Sequence, residues 1–227
     1  MNIINQRFFD IIFSMLAIVV FAPILMVVSV VLTVVSGDGI LYRQKRVGIN
    51  GEIFDIYKFV TMIKNSEFQG SGTVTLKNDS RVFPFGKFLR KTKINELPQL
   101  FNILLGDMSI IGPRPQDIIG FKLFNLIEQK IITQVKPGLS GVGPIFFRDE
   151  DEILEKVRSN KVEFYDKHLS PYKGKVEAWY VENRDLSLYF KLIWMTVKVV
   201  LIPNYKINYQ KVFKNIPTPP HELQPLL

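Results

Sequence analysis

At 227 residues the chain has the length of one domain, or of a domain with an appendage, and its 47% hydrophobic content is ample for a core. A net charge of +8 and a pI near 9.5 point to an anionic partner: phosphate ligands, acidic lipid or nucleic acid. The absence of cysteine excludes disulfides and thiolate metal sites, and two scattered histidines, His168 and His221, argue against a histidine-based metal site or triad.

Residues 11–37 carry no charge and are long enough to cross a bilayer as a helix. They are no cleaved signal peptide: the flank before them holds both Arg7 and Asp10, and the apolar run is too long. Pro23 sits in the middle, where it removes a backbone hydrogen bond and kinks a helix. Two arrangements fit: a plain span, or a helix that dips in, bends at Pro23 and returns to the same side. The basic run Arg43-Gln44-Lys45-Arg46 places the far flank in the cytoplasm.

Next, β-rich pieces Ile40–Arg43 and Ile53–Phe59 flank Gly48-Ile49-Asn50-Gly51, which predicts a hairpin. Residues 64–81 are polar and rich in Gly and Ser, a loop suited to closing over a ligand. Phe83–Lys93 carries a basic face. Leu97, Leu100, Ile103 and Leu104 then fall at helical spacing, which predicts a short helix over Glu96–Leu105. Pro98 would lie in its first turn, Asn95 near its N-cap and Gly106 at its C-terminal stop. Gly112-Pro113-Arg114-Pro115 follows as a stiff turn.

Residues 117–136 read as one helix, with Ile118, Phe121, Phe124, Leu126 and Ile127 mostly on one side. Lys136-Pro137-Gly138 and Gly141–Pro144 form a turn-rich loop. Arg148 to Glu152 is an acidic cluster opening a helix, and four acids there suit either a solvated N-terminus or a metal site. Leu186–Ile202 is apolar and aromatic, with Lys191 and Lys198 on one face, as in an interfacial amphipathic helix or a helix of the core. The Pro-rich tail from Pro203 is expected to be poorly ordered or to pair with a partner.

The apolar N-terminus with Pro23, RQKRVGINGEIFDIYKF (43–59), DSRVFPFGKFLRK (79–91), NELPQLFNILLGDMSIIGPRP (95–115), VKPGLSG (135–141) and the segment from Trp179 to Leu201 together resemble the bacterial sugar transferases, the monotopic polyprenyl-phosphate phosphoglycosyl transferases. The resemblance covers almost the whole catalytic domain, and the 95–115 block is its most specific part.

The resemblance implies transfer of a sugar-1-phosphate from a UDP-sugar to polyprenyl (undecaprenyl) phosphate, with release of UMP. It places the reaction on the cytoplasmic face of the bacterial inner membrane, as the first membrane step of glycan assembly. It implies Mg²⁺, a re-entrant membrane helix broken at Pro23, and basic site residues Lys58, Arg90 and Arg114. The family's Asp-Glu pair falls on Asn95 and Glu96, where the Asp is thought to attack phosphate and the Glu to hold the metal. Asn95 therefore stands in place of the nucleophile, and a carboxamide is a poor one. Val60 also departs from a frequent Lys or Arg, and Ala22 from a Ser.

Four explanations remain open for Asn95: an engineered trap; a branch in which Glu96, Asp149 or Glu150 takes over; direct attack by the acceptor phosphate; or binding without turnover. Arg114, held beside Pro113 and Pro115, suits phosphate positioning. The expected architecture is α+β and mostly helical. It comprises a re-entrant helix (1–38), a catalytic domain (39–202) with a small hairpin and interfacial amphipathic helices, and a tail (203–227). Expected partners are UDP-sugar, polyprenyl phosphate and membrane lipid; homo-oligomerisation is left open. No nucleic acid is expected, because the basic residues cluster beside acids and turns instead of interleaving with aromatics. The rival reading is a non-catalytic nucleotide-sugar-binding or scaffold protein.

Overall fold

A computed structural model describes residues 3–37, 39–63, 79–158, 160–202, 205, 207 and 209–226. Most of the loop expected at 64–81 lies outside the described residues. The fold is mostly helical with two small sheets. Helix α1 (Ile3–Val35) is continuous through Pro23, and 33 residues give it a length of about 50 Å. Three of its hydroxyls bond within the helix. Ser14 donates to the Ile11 carbonyl, Ser29 to Leu25 and Thr33 to Val30.

The chain divides into two compact units. The first comprises Met1–Asp10, Lys45–Phe54 and Gly106–Leu227; the second comprises Ile11–Gln44 and Asp55–Leu105. Strands β1 (Leu41–Val47) and β2 (Ile53–Phe59) pair as the expected hairpin. Its tip turns through a 3₁₀ segment in which Asn50 and Gly51 take positive φ.

In the second unit, α2 (Pro84–Lys91) starts on Pro84, whose fixed φ suits a first turn. Its Leu89 joins Phe59 of β2 and Val28 and Leu32 of α1 in one buried cluster, with Leu25, Ile40, Phe83, Phe85 and Ile94 around it. Gly86 lies directly on the Thr61 backbone, where any Cβ would collide. Helix α3 (Gln99–Leu105) begins later than expected. Residues Ile94–Glu96 form a separate 3₁₀ turn entered through Lys93 at φ 60°, so Asn95 is no N-cap. Gly106, at φ 99°, ends the helix as expected. The buried Asn102 amide fastens α3 to β2: it donates to the Asp55 carbonyl (2.7 Å) and accepts from the Tyr57 N–H (2.9 Å).

In the first unit, β3 (Ser109–Ile111) and β4 (Gly138–Ser140) form a parallel pair where only turns were expected. Strands of three residues carry no readable period. Their pairing depends on glycines: a Cβ on Gly112 would lie 2.6 Å from the Lys136 carbonyl oxygen. The expected 117–136 helix is two helices, α4 (Ile118–Lys122) and α5 (Leu126–Ile132). Asn125 restarts the helix with a capping box to Glu128, which outweighs continuity of the pattern. Leu126 and Ile127 are 73% and 71% exposed, so the expected apolar face is only partly core; Phe124 is its buried member and packs with Ile132.

After β4 come α6 (Val142–Phe146), α7 (Glu150–Lys156) and α8 (Lys161–Phe164). A π turn at Tyr165–Leu169 leads from α8 into α9 (Ser170–Asn183). Helix α10 (Leu186–Leu201) buries Tyr189, Leu192, Met195 and Val199 and exposes Phe190, Trp194, Val197 and Val200. One face thus belongs to the core while the other is apolar and exposed.

The tail, with α11 (Tyr209–Val212), is packed: Phe213, Ile216 and Leu223 are buried, and Tyr172 donates to the Pro217 carbonyl. Lys191 donates to the Val212 carbonyl and lies over the Phe213 ring, which ties α10 to the tail. At the other end of the chain, Asp10 is 2% exposed. It accepts from Ser109 Oγ (2.8 Å), the Ile110 N–H (2.9 Å) and the Tyr189 hydroxyl (2.9 Å). Gln6 donates to Ser109 Oγ and to the Ile111 carbonyl. The first turns of α1 are thereby tied to the edge of β3.

Candidate functional site

The expected site residues fall in both units. Lys58, Arg90, Asn95 and Glu96 belong to the second; Pro113, Arg114, Asp149 and Glu150 belong to the first.

In the second unit, Arg90 sits in the last turn of α2, and its Nε donates to Thr61 Oγ1 (2.8 Å). That bond ties the guanidinium to Thr61, just past the end of β2, the strand that carries Lys58. The 3₁₀ turn holds Asn95 and Glu96 side by side. Asn95 is 9% exposed, and its Oδ1 is buried without a hydrogen-bond partner. Leaving a buried amide oxygen unsatisfied costs about 1–3 kcal/mol.

Among the described residues no group of three or more His, Asp or Glu comes together. Glu96 and the orphaned Asn95 oxygen suit Mg²⁺, which commonly takes one or two protein oxygens and completes its shell with substrate phosphates and water.

In the first unit, Arg114 is exposed at the tip of the Gly-Pro-Arg-Pro turn while Pro113 and Pro115 are buried beneath it. The turn is held from behind by a group the sequence did not announce. The Arg114 N–H donates to Glu177 Oε1 (3.0 Å), and Glu177 is 2% exposed. Burial pushes the Glu177 carboxyl up to about 7, against the opposing pull of the Arg114 N–H, Lys173 and the Arg114 charge. Lys173, one helical turn earlier on α9, is buried as well and donates to Glu150 Oε2 (2.7 Å). Burial pulls its ammonium down, but the Glu150 carboxylate and Tyr165 outweigh this and hold it above the usual range.

The acidic cluster at 148–152 thus divides. Glu150 neutralises an internal cation. Asp149 is exposed and pairs with the neighbouring Arg148 (3.2 Å). Sequence reasoning missed Glu177, Lys173 and Asp10, because a charged residue in a mixed helix gives no sign that it is inward-facing. The one available hint was the unbroken polar spacing of Lys173 and Glu177 at i and i+4.

The bacterial sugar transferase family model matches residues 1–203. Over 201 residues the chain is 33% identical to a UDP-glucose:undecaprenyl-phosphate glucose-1-phosphate transferase of Klebsiella pneumoniae, covering 86% of this chain and 40% of that protein. It is 31% identical to an undecaprenyl-phosphate galactose phosphotransferase of Salmonella typhimurium, covering 86% and 40%. It is 30% identical to the exopolysaccharide production protein ExoY of Sinorhizobium fredii, covering 88% and 86%. The chain thus spans about two fifths of the first two relatives and most of the third. With the sequence blocks, the Asn95–Glu96 turn and a matched region of this extent, the chain belongs to the bacterial sugar transferase family.

Proposed function

We propose that this protein transfers a sugar-1-phosphate from a UDP-sugar to polyprenyl phosphate, releasing UMP, at the cytoplasmic face of a bacterial membrane. The observation that carries the reading is Glu96 beside the orphaned amide oxygen of Asn95, in a chain of this family. Glu96 and Asn95 would hold Mg²⁺, which supplies charge neutralisation at the diphosphate when bound. Arg90, fixed by Thr61, and Arg114, fixed by its turn, bind phosphate oxygens in fork geometry. Lys58 adds a point charge.

An acceptor phosphate oxygen attacks the β-phosphorus of the UDP-sugar. The bond from that phosphorus to the bridging oxygen breaks, and UMP leaves with the electron pair. Direct attack is favoured over a protein nucleophile by two observations. Position 95 holds a neutral amide, and Glu150 is committed to Lys173. Catalysis then rests on positioning and electrostatics.

The proposal includes insertion of α1 into the membrane, and the apolarity of that helix supports it. Gln6–Val35 has a mean hydropathy of 3.0 and is the one helix among the described residues long and apolar enough to cross a bilayer. Its flanks are both held by non-membrane parts of the chain: Asp10 by Ser109 and Tyr189, Leu32 by the cluster around Phe59 and Leu89. A re-entrant path, with a bend at Pro23 on entering the bilayer, is part of this proposal; in the structure α1 runs unbroken through Pro23. The exposed apolar face of α10 fits the same interface.

The test is UMP release from UDP-sugars in detergent or nanodiscs, with and without polyprenyl phosphate. Direct attack predicts release only when acceptor is present. A burst of UMP equal to the enzyme concentration without acceptor would establish a protein nucleophile instead. Asn95→Asp is expected to retain or raise turnover, and its abolition in a folded variant would mean that this site tolerates no charge there.

A further inference from the structure

Beneath Arg114 lies a second buried charge system, reached by following one hydrogen bond inward. Glu177 Oε1 accepts the Arg114 N–H, and the Gly143 N–H also points to this carboxyl. A Cβ on Gly143 would meet the Glu177 carboxyl, so a larger residue there would push that side chain aside. The other oxygen, Oε2, is buried with no hydrogen-bond partner. A carboxyl placed only for stability would not be expected to bury one oxygen unpaired, because the unsatisfied atom is costly. The group is held there while gripping the backbone of one particular residue, on a turn otherwise built from glycine and proline.

We propose that Glu177 is a positioning residue for phosphate binding: by gripping the Arg114 N–H it fixes the turn that aims the Arg114 guanidinium at the substrate diphosphate. This deepens the reading above and rests on it. The charged and titratable groups around Glu177 are Lys173 and Tyr180 on its own helix, and Arg114 on the turn after β3. Behind Lys173 stand Glu150 of α7 and Tyr165 of the π turn. Lys173 is already paired to Glu150, so the charge on Glu177 is free to strengthen its hold on the Arg114 N–H. An ionised acceptor holds an N–H roughly twice as strongly as a neutral one. With the carboxyl pushed up to about 7, it is neutral below that pH and ionised above it. The hold tightens as pH rises through that value.

Four variants of the full chain test this: Arg114→Ala, Glu177→Ala, their double, and Glu177→Gln. The readouts are UMP release (kcat and KM for UDP-sugar) and thermal melting in detergent. Glu177→Ala is expected to lose about tenfold to hundredfold in kcat/KM, the range for stranding a buried donor. The double variant is expected to be no worse than Arg114→Ala, because the two act as one unit. Glu177→Gln keeps the acceptor and loses the charge. The ratio of wild-type to Glu177→Gln activity is expected to rise about threefold to tenfold between pH 6 and 8, the worth of one charge-assisted bond. Taking the ratio cancels titration of the substrates.

Normal activity of Arg114→Ala would overturn the site reading itself. A crippled Arg114→Ala together with additive losses, or with a harmless Glu177→Ala, would overturn the positioning role alone. If Glu177→Ala fails to fold, the Glu177→Gln ratio decides, and a ratio flat with pH overturns the proposal.

Discussion

Two acid-bearing regions of this molecule look alike in sequence and differ in kind. At 95–96 an amide and a carboxylate share a 3₁₀ turn, and the amide oxygen is buried without a hydrogen-bond partner. At 149–150 two carboxylates open a helix. One is exposed beside Arg148, and the other is locked to the buried Lys173. Our proposal places the chemistry at the sparser pair and gives Glu150 of the richer cluster a structural role, since it is held by an internal cation.

The comparison breaks most sharply at Glu96. Glu96→Gln is expected to lower UMP release by at least about a hundredfold, as for loss of a metal or acid–base group. Melting should be unchanged, and near-wild-type turnover would remove the distinction between the regions. Lys173→Met sharpens the other side. It leaves Glu150 and Glu177 without their buried countercharge, and removing one partner of such a pair costs on the order of 3 kcal/mol. Thermal denaturation reads this, and a variant as stable as wild type would show that the pair contributes little. The smallest effect is expected at Asp149→Asn, an exposed partner of a surface ion pair worth no more than about 1 kcal/mol. Its activity and melting should both match wild type. A large loss of turnover there would make the acidic cluster part of the chemistry after all.

Helix α1, the hairpin around Asn50 and Gly51, and the Gly106 stop were all legible from local pattern. Each depends on residues within a few positions of one another: an uncharged run, a turn sequence, a glycine after a periodic segment. The start of α3 was misplaced because Lys93 adopts a left-handed backbone that no propensity favours. The 117–136 segment was read as one helix because its apolar period hid the Asn125 capping box. Composition left the tail either poorly ordered or paired with a partner, yet it buries Phe213 and Leu223 within this chain.

What the sequence alone determined is the long apolar N-terminal segment and the family block with its Asn95–Glu96 pair, since hydropathy and short motifs are properties of neighbours along the chain. Tertiary structure decided which charges face inward. Glu177 grips the turn of Arg114 across 63 positions, and Asp10 meets Ser109 across 99. Desolvation depends on what packs around a group in space, and no window of sequence contains those neighbours.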